Sequence, residues 1–276
     1  MTPRNLPPGV APALVARVPV ARVPVATVLA VMVLAVMVLA LTSGVAQASP
    51  NLVLNGNFSQ DSLTPATSYT SFQLGSWSYN STNYTGTATG WTVAAGSYDY
   101  VFTAGTATAF GQYNTLTLAS GSAIGTAPGG GNLLGADGDF GSHPITQTIS
   151  GLNVGAPATV SFWWGAAQQS GASGSTTQYW QVSLGSSTQD TTTYDLSEGS
   201  FSGWMQATMT FIPTSTSEVL SFLAVGTGSP PFLLLSGVSV ASPEPGTLAV
   251  MLTGLAGLGL LSRRHRRSRT GRDATV

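Results

Sequence analysis

Asp137 and Asp139 are the residues whose types and spacing best suit chemistry. They stand two apart in Gly135-Ala136-Asp137-Gly138-Asp139. Clustered carboxylate and carbonyl oxygens in a glycine-rich loop suit calcium, a hard cation that takes oxygen ligands. The competing reading is a hydrated turn, where Asp-Gly is ordinary. The pair could also be the two carboxylates of a glycosidase, but that chemistry depends on their separation across a sugar, which sequence spacing does not give. His143 is the only histidine outside the basic tail. A Ser-His-Asp triad would have to use it, yet no Gly-x-Ser-x-Gly nucleophile elbow surrounds any serine. His143-Pro144 before an apolar run reads as a loop. With no cysteine and one imidazole, a zinc site, a thiol nucleophile and an iron–sulfur cluster are excluded from the central region. No catalytic residues are expected, and the chain reads as a non-enzyme.

The aromatic residues offer binding chemistry instead. Six tryptophans, Trp77, Trp91, Trp163, Trp164, Trp180 and Trp204, are spread through the central region. Exposed rings can stack on sugars while carboxamides such as Gln168 and Gln169 bond hydroxyls. Most of these rings are expected in the core, because aromatics dominate sandwich interiors. Trp163 and Trp164 are adjacent, so a regular strand turns them to opposite faces. One is then core and the other less buried.

Charge narrows the partners. All nine Lys and Arg residues lie in the terminal segments, whereas the region between them holds eight acids and no base. Its charge is about −8 at neutral pH. Such a surface repels phosphate backbones, so nucleic acid is not an expected partner. It also lacks the Arg and Lys that hold phosphorylated substrates.

The elements that must position these residues read as β-strands. Gly, Ser, Thr and Asn dominate, and β-branched and aromatic residues fall in short runs. The expected strands are Leu52–Leu54, Tyr98–Phe102, Ile145–Ile149, Ala158–Trp164, Tyr179–Leu184, Met205–Phe211, Val219–Val225 and Leu233–Val240. Met205, Ala207, Met209 and Phe211 alternate with Gln206, Thr208 and Thr210, a period of two with one face buried. Gly129-Gly130-Gly131 and Gln168–Thr177 read as loops. The fold class expected is all-β: a β-sandwich of jelly-roll type over residues 49–242, flanked by an N-terminal signal peptide and a C-terminal transmembrane helix.

Both ends are set aside from that fold. Residues 1–48 carry a basic region, 14 apolar residues from Val28 to Leu41, and Ala46-Gln47-Ala48. That order describes a secretory signal with small residues, Ala46 and Ala48, at the cleavage site. Residues 243–276 open with Pro243-Glu244-Pro245. A 17-residue uncharged stretch from Gly246 to Ser262 follows, and then the cluster that includes Arg263, Arg264, Arg266 and Arg267. Seventeen residues are near the lower limit for spanning a bilayer, and the arginines hold the C-terminus on the cytoplasmic side.

This ordered tail, paired with a signal peptide, resembles the PEP-CTERM sorting signal of Gram-negative bacteria. The resemblance implies processing by an exosortase, transit through the inner membrane, and a cell-envelope, cell-surface or extracellular-matrix destination. The central region resembles a galactose-binding-like jelly-roll domain found among PEP-CTERM proteins. The likeness is carried by Asn51-Leu52-Val53-Leu54-Asn55-Gly56-Asn57-Phe58, Gly90-Trp91, Ile145-Thr146-Gln147-Thr148-Ile149, Gly203-Trp204 and Phe232 to Val240. Two positions depart from it. Ser59 stands where an acid often follows, and Ser236-Gly237 where Asp-Asn often precedes the last Val-Ser-Val, Val238-Ser239-Val240. In related folds those acids help hold a structural calcium.

Taken together, the sequence reads as an exported surface or matrix protein with a structural or adhesive role. The alternative is a carbohydrate-binding module for exopolysaccharide. A polysaccharide hydrolase is a third, weaker reading.

Overall fold

The computed structural model describes residues 49–107, 116–119, 124–228 and 230–242. The leader with Ala46 and Ala48, and the tail with Pro243, Glu244, Pro245, Arg263, Arg264, Arg266 and Arg267, lie outside the described residues. Those residues contain no helix and form fourteen strands, all pairing antiparallel.

A six-stranded sheet has the order β12-β8-β14-β6-β5-β2. Its strands are β2 (Ser71–Gln73), β5 (Asp99–Phe102), β6 (Leu133–Asp137), β8 (Ala158–Gln168), β12 (Met205–Phe211) and β14 (Pro231–Ala241). A five-stranded sheet has the order β10-β9-β13-β7, with β11 also pairing β9. It comprises β7 (Ile145–Ser150), β9 (Thr176–Leu184), β10 (Ser187–Asp190), β11 (Tyr194–Leu196) and β13 (Ser217–Thr227). A small third sheet, β1 (Asp61–Thr64), β4 (Thr82–Ala88) and β3 (Gly75–Tyr79), was not anticipated.

The two larger sheets face each other as a sandwich. Alternation along β9 buries Thr176, Gln178, Trp180, Val182 and Leu184 and leaves the residues between them half-buried. The ring of Phe222 on β13 meets Phe162 on β8 across the interior at 5.0 Å and Trp180 on the neighbouring strand β9 at 6.0 Å, both edge-on. Trp180 Nε1 also donates to Leu234 O on the opposing sheet at 3.1 Å, which satisfies the indole inside the core.

A second apolar cluster covers the outer face of the six-stranded sheet. Tyr100, Phe102, Leu133, Phe232 and Leu234 on that face pack under Leu118, Ile124 and neighbouring loop residues. Trp204 closes this layer from the side, its Nε1 donating to Ile124 O at 2.8 Å.

Several expectations change. The segment Leu52–Leu54 is not a strand, because side chains take its backbone. Asn51 Oδ1 accepts from Val53 N and Val240 N, each at 3.0 Å. Gln147 clamps Leu54, accepting its N–H at 2.7 Å and donating to its carbonyl at 2.9 Å. The glycine-rich stretch at Asp137 is not a loop: Leu133–Asp137 is β6, buried at all five positions. Gln168, Thr176 and Thr177 belong to β8 and β9, so that loop is shorter than expected.

Candidate functional site

The Asn55–Phe58 turn is built first, because a cleft opens beside it. Asn55 has φ +55°, and its carboxamide is spent locally. Its Oδ1 accepts from Gln60 N at 2.9 Å, and its Nδ2 donates to Gln60 O at 2.9 Å and Thr89 O at 3.2 Å. Phe58 is fully buried against Trp91 at 5.3 Å between ring centroids, and Trp91 Nε1 donates to Asn55 O at 3.1 Å. The Asn-Gly-Asn-Phe run thus works as a pinned turn, which holds Asn51, Asn57 and Gln60 along one wall of the cleft.

The other wall comes from β8 and β14. The pairing of these two strands shifts register between Ser236 and Ser239. That irregularity sends Val238 into the core, 2 % exposed, and its N–H donates to Gly56 O at 2.9 Å. Gly237, at φ +62°, sits at the turn of the bulge. A Cβ there would lie 2.8 Å from Gly129 Cα and 3.2 Å from Trp163 Cδ1. Bare backbone at Gly237 therefore makes room both for the Gly129 loop and for the Trp163 ring. Trp164 is buried in the inter-sheet core, while Trp163 is half-buried on the opposite face of β8.

The resulting cleft has a volume of about 440 Å³, within the range of small-molecule sites. Trp163 forms its aromatic surface, with Asn51, Asn57, Gln60, Gly237 and Ser239 around it. No ionisable side chain among the described residues lines it. Among the described residues, the Nδ2 groups of Asn51 and Asn57 and the exposed Gln60 carboxamide have no hydrogen-bond partner. An aromatic face beside unspent carboxamides can stack on an apolar ring face and bond the hydroxyls at its rim.

The aspartates singled out from the sequence lie elsewhere. Asp137 ends β6 at 2 % exposure, and its Oδ1 accepts the N–H groups of Asp139 and Phe140 at 2.9 and 3.0 Å. Burial raises its pKa, partly opposed by those two bonds. Asp139 is exposed in the following turn. The pair thus shares a turn, but one carboxylate is directed inward onto its own backbone. His143 is exposed in the loop before β7, as expected. Gln168, offered above as a sugar-binding amide, is buried. Its Nε2 donates to Gly174 O at 3.0 Å and its Oε1 accepts from Gly199 N at 2.7 Å.

The calcium implied by the resemblance does not fit the residues present. At the departing positions, Ser236 Oγ, with one proton to donate, lies 3.2 Å from Asn132 O and 3.4 Å from Gly130 O, so a neutral donor rather than a carboxylate stands there. The nearby carboxylate of Asp61 accepts from Tyr69 Oη at 2.8 Å and from Asn132 Nδ2 at 2.7 Å. No group of three or more His, Asp or Glu side chains among the described residues could hold a metal ion.

Trp163 is legible in the sequence as a candidate binding ring, whereas Asn51, Asn57 and Gln60 are not legible there as binding groups. The Asn-Gly-Asn-Phe signature was the available signal, since a turn with an asparagine at either end leaves one carboxamide to close it and one to spare.

No protein-family model and no curated protein matches this chain. Among solved structures, it is similar to TmCBM61 in complex with β-1,4-galactotriose. The identity is 13 %, the match covers 71 % of this chain and 100 % of that one, and the TM-score is 0.38. It is also similar to the CBM22-1 xylan-binding domain from Paenibacillus barcinonensis Xyn10C, with 12 % identity, 71 % and 96 % coverage and a TM-score of 0.34. Arabinose-bound MgGH51 α-L-arabinofuranosidase matches at 13 % identity and TM-score 0.36, over 72 % of this chain and 27 % of that chain. What those proteins bind is theirs, and the cleft beside Trp163 is judged on its own side chains.

Proposed function

We propose that residues 49–242 form a jelly-roll carbohydrate-binding module of an exported surface protein, and that sugar binds in the cleft beside Trp163. The observation that carries this reading is the meeting of one half-buried indole with unspent carboxamides in a cleft of about 440 Å³. A purely structural or adhesive role gives no reason for that combination. Binding without turnover is the form proposed, since among the described residues no carboxylate lines the cleft to act as acid or base. The exosortase, the inner membrane in transit and an envelope or matrix destination remain part of the proposal through the tail. Cell fractionation of Glu244→Ala in a host with the exosortase checks that part, which falls if the variant is processed like wild type.

The direct test of binding is affinity electrophoresis of the full chain through gels containing polysaccharides. Wild type is expected to be retarded by at least one of them. Trp163→Ala is expected to lose tenfold or more in affinity, about 1.4 kcal/mol or above, as truncated aromatic anchors do. Equal retardation of the variant and wild type would remove Trp163 from the site and the proposal with it.

A further inference from the structure

We infer that the glycan taken by this cleft is uncharged, and that polymers carrying uronate groups are turned away; this rests on the carbohydrate-binding reading above. The cleft wall supplies donors, but all of them are neutral: Asn51 Nδ2, Asn57 Nδ2 and the Gln60 carboxamide. A carboxylate on a sugar is ordinarily met by the fork of an arginine or the point charge of a lysine. Residues 49–242 contain neither, so their eight acids have no Arg or Lys of the domain to offset them. Asp61 follows Gln60 directly, and its carboxylate is held by the neutral groups of Tyr69 and Asn132. The single imidazole of the domain, His143, is not part of the cleft.

A uronate entering the cleft would give up hydration, gain no cationic partner and meet a net negative field. Uncharged hydroxyls meet none of these costs, because a carboxamide both donates to them and accepts from them. The repulsion acts over roughly 8 Å at physiological ionic strength, so it is salt-sensitive, whereas stacking on Trp163 is not.

The experiment compares each neutral polysaccharide with the same polymer oxidised at C6 to the uronate, so that backbone and linkage stay constant. Full-chain protein is run in affinity gels at low and at high salt. The expected result is retardation by a neutral polymer, binding at least tenfold weaker to its oxidised form at low salt, and a gap that narrows as salt rises. Gln60→Lys provides a gain-of-function arm, since this exposed position tolerates a change without threatening the fold. It should raise the affinity for the oxidised polymer relative to the neutral one, and that ratio is the readout because the change also removes a carboxamide of the cleft. Equal or tighter binding of the oxidised polymer by wild type overturns the inference and leaves the module reading standing. A gap unchanged by both salt and Gln60→Lys also overturns it, because the loss would then come from the missing hydroxyl. Absence of binding to every polymer, neutral or oxidised, overturns both.

Discussion

Gly237 and Gly129 touch backbone to backbone: a Cβ on Gly237 would stand 2.8 Å from Gly129 Cα, and 3.2 Å from the Trp163 ring on its other side. The bulge in β14 is thus wedged between a loop and the proposed binding ring, with no space for a side chain. The acidic-amide pair expected before Val238-Ser239-Val240 is replaced here by Ser236-Gly237, and the glycine has its own steric reason.

The first prediction follows from that wedge. Gly237→Ala places a side chain at φ +62°, at a cost of about 1–2 kcal/mol for the left-handed conformation. Displacing Gly129 or Trp163 adds about 1–3 kcal/mol more. Gly171→Ala is the control, since its φ is +83° but a Cβ there meets nothing within 4 Å. Thermal melts should show a clearly larger fall in Tm for Gly237→Ala than for Gly171→Ala, and only the former should weaken glycan binding. Equal falls would mean that the wedge carries no strain.

How far the sequence showed this arrangement depends on the feature. Alternation in Met205–Phe211 is a local property, so β12 runs between the residues the pattern gave. The opposite burial of Trp163 and Trp164 is equally local, since it follows from strand geometry alone. The cleft is a different case, because its walls come from residues far apart in the chain, Asn51 to Gln60 and Trp163 to Ser239. Nothing in the spacing of Asn57 shows that its neighbour across the gap is Trp163. The strand at Leu133–Asp137 was hidden by its two small residues, Gly135 and Ala136, which look like a turn. Gly135 is small because Phe102 and Phe232 crowd its face: a Cβ there would lie 2.7 Å from Phe102 Cε2 and 3.2 Å from Phe232 Cδ1.

The second prediction concerns calcium. A neutral hydroxyl, Ser236 Oγ, stands beside the carbonyls of Gly130 and Asn132 in place of an acid, and Asp137 is committed to its own turn. The melting midpoint is therefore expected to be the same in millimolar calcium and in chelator. A domain of this size shifts by about 2–4 °C per kcal/mol, so even modest binding is visible. A rise of several degrees in calcium would show that the carbonyls around Ser236 hold an ion despite the lost acids.

The last prediction concerns pH and the buried carboxyl of Asp99. This residue lies on β5 at 2 % exposure, on the same strand face as the core residue Val101, and its Oδ2 has no hydrogen-bond partner among the described residues. No Lys or Arg exists in residues 49–242 to pair with it. Burial pushes its pKa from 3.8 up to about 8, with Ser97 acting weakly in the opposite direction. In the unfolded chain the same group ionises near pH 4. Below that value both states are protonated, and Asp99 imposes no pH dependence. Between about pH 4 and pH 8 the unfolded chain releases a proton that the folded protein retains, so stability falls as pH rises. The slope from this one group approaches about 1.4 kcal/mol per pH unit at most. Above pH 8 both states are ionised and the penalty stays at its full size. Asp99→Asn keeps the shape and removes the proton equilibrium. The quantity to measure is the difference in unfolding free energy between Asp99→Asn and wild type, in which pH effects from the rest of the chain cancel. Denaturant titrations from pH 4 to pH 9 should show the variant gaining on wild type with each unit up to about pH 8 and then holding its lead. A difference that stays flat across that range would mean the carboxyl is ionised and solvated in the folded protein.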